Sequence, residues 1–200
     1  MNNKKLYFGL FLLLIILAIG LIVLNSKNSI PVEEIENEEY TIYSSLIDGM
    51  YATDQVDLIV IMDHASLGGH ESLDQTLNYV SQQIPEIEKD TLDDYKIKNT
   101  QNYPLENSFN IKAKVILISQ VDFDRIFRPD IDGWEQFYKI YPKSQGIMTL
   151  SRVGFNKEKD QALVYAGNQA HYLAGRGYYV LLTKENDIWG IKKDVMTWIS

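Results

Sequence analysis

The hydrophobic positions of this chain change period twice. Residues 6–24 are a continuous apolar run, nineteen residues without a charge. A helix of that length reaches roughly 28 Å, the thickness of a bilayer's hydrocarbon core. Lys4 and Lys5 precede the run and only Lys27 closely follows it, which places Met1 in the cytoplasm and the body outside. The pattern divides the chain into a cytoplasmic stub (1–5), a transmembrane signal anchor (6–24), a linker (25–32) and one extracytoplasmic domain (33–200). No Ala-x-Ala site follows the run, which favours a retained anchor, and so a single-pass protein of the cell membrane, over secretion after cleavage.

Beyond the run the period becomes helical. Pro31 suits a first turn, Glu33, Glu34 and Glu36 suit the positive end of a helix dipole, and Ile35, Ile42, Tyr43 and Leu46 form a stripe that Gly49 would end. Residues 56–62 are a β-rich apolar run, read as a buried strand closed by a loop through Gly68 and Gly69. Ser72 with Gln75 has capping-box spacing, and Leu73, Leu77, Val80 and Ile84 repeat helically up to Pro85. A second helix follows over 86–98, a strand over 111–119, and a helical turn holding Phe123, Ile126 and Phe127. Trp134, Phe137, Tyr138 and Tyr141 then make one aromatic helix face, stopped by Pro142.

From Gly146 onward the character is β. Strands are predicted over 147–155, 161–167, 177–184 and 188–196, with hairpin loops at 156–160 and 185–187. Helices first and a meander last give an α+β fold: a curved antiparallel sheet covered on one face by the earlier helices and preceded by one transmembrane helix.

Composition narrows the setting. Hydrophobic residues at 46% and aromatics at 12% exclude a disordered chain, and about 175 residues beyond the run suffice for one domain with a core. A net charge of −8 repels phosphate backbones, so nucleic acid is excluded as a partner. The absence of cysteine excludes disulfides, thiolate nucleophiles and Cys-ligated metals. No glycine-rich phosphate loop or dinucleotide fingerprint is present, and no cofactor is implied.

Several stretches carry a resemblance. The stretches Gly133-Trp134-Glu135-Gln136-Phe137-Tyr138, Leu150-Ser151-Arg152-Val153-Gly154-Phe155-Asn156, Ala162-Leu163-Val164-Tyr165 and Gly175-Arg176-Gly177-Tyr178-Tyr179-Val180-Leu181-Leu182 resemble a family of uncharacterised exported, membrane-anchored bacterial proteins. The likeness reaches upstream through Asp94-Tyr95-Lys96 to Ile42-Tyr43. It implies an exported bacterial domain and transfers no activity, substrate or catalytic residue. Gly154, Gly167, Gly175 and Gly177 within it suggest turns, bulges or close backbone approach.

Candidate chemistry is sparse. Asp130-Ile131-Asp132-Gly133 begins like a calcium loop, but setting Gly133 at position six puts Arg128 and Lys139 at liganding positions, so Asp132 reads as a helix cap. His64, His70, Asp63 and Glu71 match no zinc-site spacing and read, like His171, as loop residues; no metal site is assigned. Ser151 with His171 lacks a nucleophile elbow, and no catalytic residue is assigned. Arg152, a cation in an apolar strand, must reach solvent or a carboxylate, and a structural ion pair is the favoured reading. The alternative is a concave polar site formed by Ser151, Arg152, Asn168, Gln169 and Arg176, binding an anionic or polar ligand.

These features predict a binding or interaction domain of the bacterial envelope rather than an enzyme. It is attached to the membrane through 6–24 and partnered by an envelope protein or a small polar ligand. The competing reading is an enzyme or small-ligand-binding protein that uses a pocket between sheet and helices.

Overall fold

A computed structural model describes residues 35–51, 56–66 and 72–200. All belong to the second of the two units into which the chain divides, Met1–Glu33 and Glu34–Ser200. The predicted anchor at 6–24, together with Pro31, Gly68, Gly69, His70 and Glu71, lies outside the described residues. Among the described residues no helix is long and apolar enough to cross a membrane.

The elements run α1 (Asn37–Tyr51), β1 (Leu58–Met62), β2 (His64–Ala65), α2 (Leu73–Gln83), α3 (Lys89–Lys98), β3 (Tyr103–Pro104), β4 (Lys114–Ile118), α4 (Gln120–Ile126), α5 (Gly133–Ile140), β5 (Ser144–Leu150), β6 (Gly154–Phe155), β7 (Gln161–His171), β8 (Ala174–Glu185) and β9 (Ile188–Ile199). The fold is α+β. Its main sheet has the order β4-β1-β5-β7-β8-β9, with β6 also on β7, and β2 and β3 form a separate ribbon.

The sheet is mixed, which corrects the expectation of a wholly antiparallel one. Strand β1 lies parallel to both β4 and β5, while β5, β7, β8 and β9 are antiparallel in turn. Parallel neighbours need a long crossover, and the chain supplies α2 with α3 before β4 and α4 with α5 before β5. The meander needs only tight turns. Asn186 and Asp187 make the β8–β9 turn with φ of 50° and 62°, as a two-residue hairpin requires.

Both faces of the sheet are covered, another departure from the one-face expectation. One face carries Ile59, Ile61, Met148, Val164, Ala166, Val180 and Leu182 against Ile42, Tyr43, Leu46 and Ile47 of α1. The opposite face is divided. Leu77 and Val80 of α2 and Tyr95 of α3 cover Leu163, Tyr165, Tyr179 and Leu181. Ile126 of α4 and Trp134 and Phe137 of α5 cover Leu58, Val60, Ile118 and Ile147. All five residues of β1 are buried, which explains its unbroken apolar run.

Helix α1 continues past Gly49 to Tyr51. A Cβ on Gly49 would lie 2.9 Å from Ile191 Cδ1, so the missing side chain admits β9 rather than ending the helix. Glu36 precedes the first helical residue. The cap on α2 is formed as expected, Ser72 Oγ accepting from Gln75 N at 3.3 Å.

The predicted strand 147–155 is broken at Ser151–Val153, and the break is a polar core. Ser151 Oγ accepts from Tyr165 N (2.8 Å) and donates to Arg152 O (2.9 Å). Asn99 Oδ1 accepts from Arg152 N, Glu39 Oε2 from Val153 N, and Asp94 Oδ2 from Phe155 N, each at 2.8 Å. Side chains from α1 and α3 thus satisfy backbone groups that a continuous ladder would have paired.

Candidate functional site: an aromatic cleft between two helix pairs

Because α2–α3 and α4–α5 cover different parts of one sheet face, a cleft of about 440 Å³ lies on that face. Its floor begins with two glycines. Gly167 of β7 and Gly177 of β8 are directly opposed, and Trp198 of β9 is opposed to Gly177 in turn. A Cβ on Gly177 would stand 2.0 Å from Trp198 Nε1, and one on Gly167 2.7 Å from the Tyr165 hydroxyl. The Cβ-free patch lets the indole lie against the sheet, with Trp198 Nε1 donating to the Tyr165 hydroxyl at 2.7 Å. Burial pushes the Tyr165 phenol up, partly offset by that bond.

The wall comes from α4, α5 and the turn between them. Phe123 and Phe127 stack with ring centroids 4.7 Å apart, and Trp134 stands edge-on to Phe127 at 5.0 Å. Asp132 starts α5 as expected, its Oδ1 accepting from Trp134 N (3.1 Å) and Glu135 N (3.2 Å), so the cap also fixes the backbone of the wall tryptophan. The polar edge comes from His64, Ser66, Gln120, Thr149 and Gln169. His64 Nδ1 is 2.9 Å from Asp63 Oδ1. Asp63 is held by its backbone, its N–H on Ile118 O and its C=O accepting from Leu105 N. His64 thus sits just beyond the carboxyl end of β1, the middle one of three parallel strands, and ligands of open α/β sheets bind outside that end.

The five residues proposed from the sequence do not form one site. Ser151 and Arg152 are fully buried beneath α1. Arg152 makes a bidentate pair with Glu39, Nη2 to Oε1 at 2.6 Å and Nε to Oε2 at 2.9 Å, and its guanidinium lies 4.6 Å from the Tyr103 ring centroid. The Tyr43 hydroxyl, whose pKa burial drives upward, donates to Ser151 O at 2.8 Å. Gln169 lines the aromatic cleft. Asn168 also lines that cleft, and with its cross-strand partner Arg176 it lines a second one on the α1 face. Asn168, Gln169 and His171 belong to β7 rather than to a loop.

His171 is exposed, stacked on Trp134 at 6.2 Å and edge-on to Tyr172 at 5.2 Å. Ser151 and His171 therefore belong to different environments, one sealed and one at the surface. Asp130 pairs with Arg128 at 3.1 Å. Among the described residues no group of three His, Asp or Glu side chains is placed to hold a metal ion.

Tyr165, Trp198, Phe123 and Phe127 were not singled out as site residues from the sequence, and His64, weighed there only as a metal ligand and read as a loop residue, belongs to β2. The available signal was the Gly175-Arg176-Gly177 spacing, which marks a close backbone approach without saying what approaches. No protein-family profile, curated protein or solved structure matches the chain.

Proposed function

We propose that this protein is a small-ligand-binding domain held on the outer side of a bacterial membrane by residues 6–24, with the aromatic cleft as its binding site. The carrying observation is the cleft itself: aromatic faces from Phe123, Phe127, Trp134 and Trp198 opposite a hydrogen-bonding edge of Gln120, Thr149, Gln169 and His64. Its described lining includes no Lys, Arg, Asp or Glu. Such a surface suits a neutral ring compound with an apolar face and hydroxyl or amide edges, the chemistry of a saccharide. The apolar run and the basic leading residues support the outward placement.

Two of the three tryptophans, Trp134 and Trp198, line the cleft, so intrinsic fluorescence reports on it. Titration with N-acetylglucosamine and its short oligomers should give a saturable change, weakened about tenfold by Trp198→Leu. No saturable change with any neutral saccharide would reject the ligand class. Protease added to spheroplasts should digest the body, and full protection would reject the topology.

A second reading, an enzyme, is favoured by one observation. Asp63 holds Nδ1 of His64 at the cleft edge, the arrangement in which a carboxylate orients a general base. Under that reading His64→Gln keeps ligand affinity within about threefold and abolishes turnover; under the binding reading no turnover of a bound saccharide is detected.

A further inference from the structure

The opposite sheet face holds a second cleft, of about 500 Å³, between the end of α1 and the β7–β8 hairpin. Five polar side chains line it: Tyr51, Gln145, Asn168, Arg176 and Ser200; the Gln145 amide is already engaged by the backbone of Val60, accepting from its N–H and donating to its C=O. Asn168 is 8% exposed; its Nδ2 donates to Gln145 O at 2.9 Å, while its Oδ1 has no partner among the described residues. Tyr51 is 6% exposed, and its hydroxyl likewise has no partner there. Arg176 is opposite Asn168 in the β7–β8 register, which puts their Cβ atoms about 5 Å apart on one face. It makes no ion pair among the described residues, and its guanidinium lies 6.0 Å from the Tyr178 ring.

Buried polar oxygens are nearly always hydrogen-bonded, and two orphans lining one cleft beside a cation are a preformed set of complementary groups. Arg176 calls for an anion, and its planar fork fits a carboxylate. Asn168 Oδ1, with its Nδ2 already engaged, accepts only, so it calls for an N–H or O–H donor. The Tyr51 hydroxyl serves either. Around them Met50, Val56 and Ile199 supply apolar surface.

We infer that this cleft binds a small carboxylate bearing an amine, amide or hydroxyl donor on the adjacent carbon and an apolar side chain, as in a free aliphatic α-amino acid or the carboxyl end of a peptide. The carboxylate meets Arg176 and Tyr51, the donor meets Asn168, and the side chain lies against Met50, Val56 and Ile199. This site opens on the other sheet face from the aromatic cleft, with Asn168 lining both.

Calorimetric titration of the full-length protein with four probes tests the assignment. L-leucine or N-acetyl-L-leucine should saturate a site and raise the melting temperature; whichever does so identifies the free amino acid or the chain end as the ligand form. L-leucinamide, without the carboxylate, and 4-methylpentanoate, without the donor, should each bind about tenfold more weakly or worse. Arg176→Gln removes an exposed side chain with no ion-pair partner, so it should fold as wild type and lose at least tenfold in affinity. Tyr51→Phe should also remain folded, with a severalfold loss. Absence of saturation with both leucine probes, equal binding of all four compounds, or wild-type affinity in Arg176→Gln would overturn the proposal.

Discussion

The polar cluster around Glu39 and Arg152 and the aromatic cleft lie on opposite sides of the same sheet, and each gathers side chains from distant parts of the chain. They differ in where their interactions point. In the cluster the carboxylate meets guanidinium and backbone N–H inside the protein, at zero exposure. In the cleft, ring faces and amide edges converge on open space. A buried charge is therefore weak grounds for assigning function: Arg152 drew attention as an anomaly in an apolar strand, and its partners account for it within the fold.

The largest expected effect separates the two regions directly. Arg152→Ala or Glu39→Ala should each cost about 3–5 kcal/mol, because each leaves an unpaired buried charge. Urea midpoints would measure it, and the double variant Glu39→Met with Arg152→Met should recover much of the loss. If the double loss instead equals the sum of two single losses, the pair is not the source of the cost. Cleft binding should survive in whichever of these variants still fold.

A smaller effect belongs to the cleft floor. Gly177→Ala forces the Trp198 ring to move and should cost about 1–3 kcal/mol by overpacking, with a shifted tryptophan emission spectrum. An unchanged spectrum would show that the indole does not rest on that glycine. Asp132→Ala should cost about 1 kcal/mol through the two N–H groups it leaves uncapped, read by thermal melting.

The smallest effect is electrostatic. Glu38 is held below its ordinary value of 4.5, first by its bond to Lys184, with help from the Trp189 N–H, against desolvation. A lowered folded-state pKa contributes stability that is present above 4.5 and is lost as pH falls through the folded value. Glu38→Gln should therefore make the acid limb of the stability curve shallower by at most about 1 kcal/mol. A steeper acid limb in the variant would reverse that sign.

Much of the fold was legible. The capped starts of α2 and α5, the apolar β1 and the β8–β9 turn all rest on local chemistry: a hydroxyl or carboxylate within three residues of a free N–H, or an Asn-Asp pair that tolerates positive φ. The parallel pairing of β1 with β4 and β5 was not legible, since an apolar run looks the same in either orientation. Nor was the break at Ser151, whose backbone partners are Asn99, Glu39 and Asp94, at least fifty residues away.

The candidate site divides in the same way. Sequence supplied Gln169, Asn168 and Arg176 as members of one concave polar site beyond a strand ending at 167; because β7 runs on to His171, the two-residue period puts the side chains of Gln169 and Asn168 on opposite faces. It could not say what stood over either face. By itself the sequence determined the charge, the apolar run, the helix caps and the hairpin turns, because those depend on neighbours along the chain. Tertiary structure alone decided that Arg152 is neutralised by Glu39, that Trp198 lies against Gly175 and Gly177, and that clefts open on both sheet faces. Those outcomes depend on which strands become neighbours, and strand order is set by the packing of whole elements rather than by any local pattern.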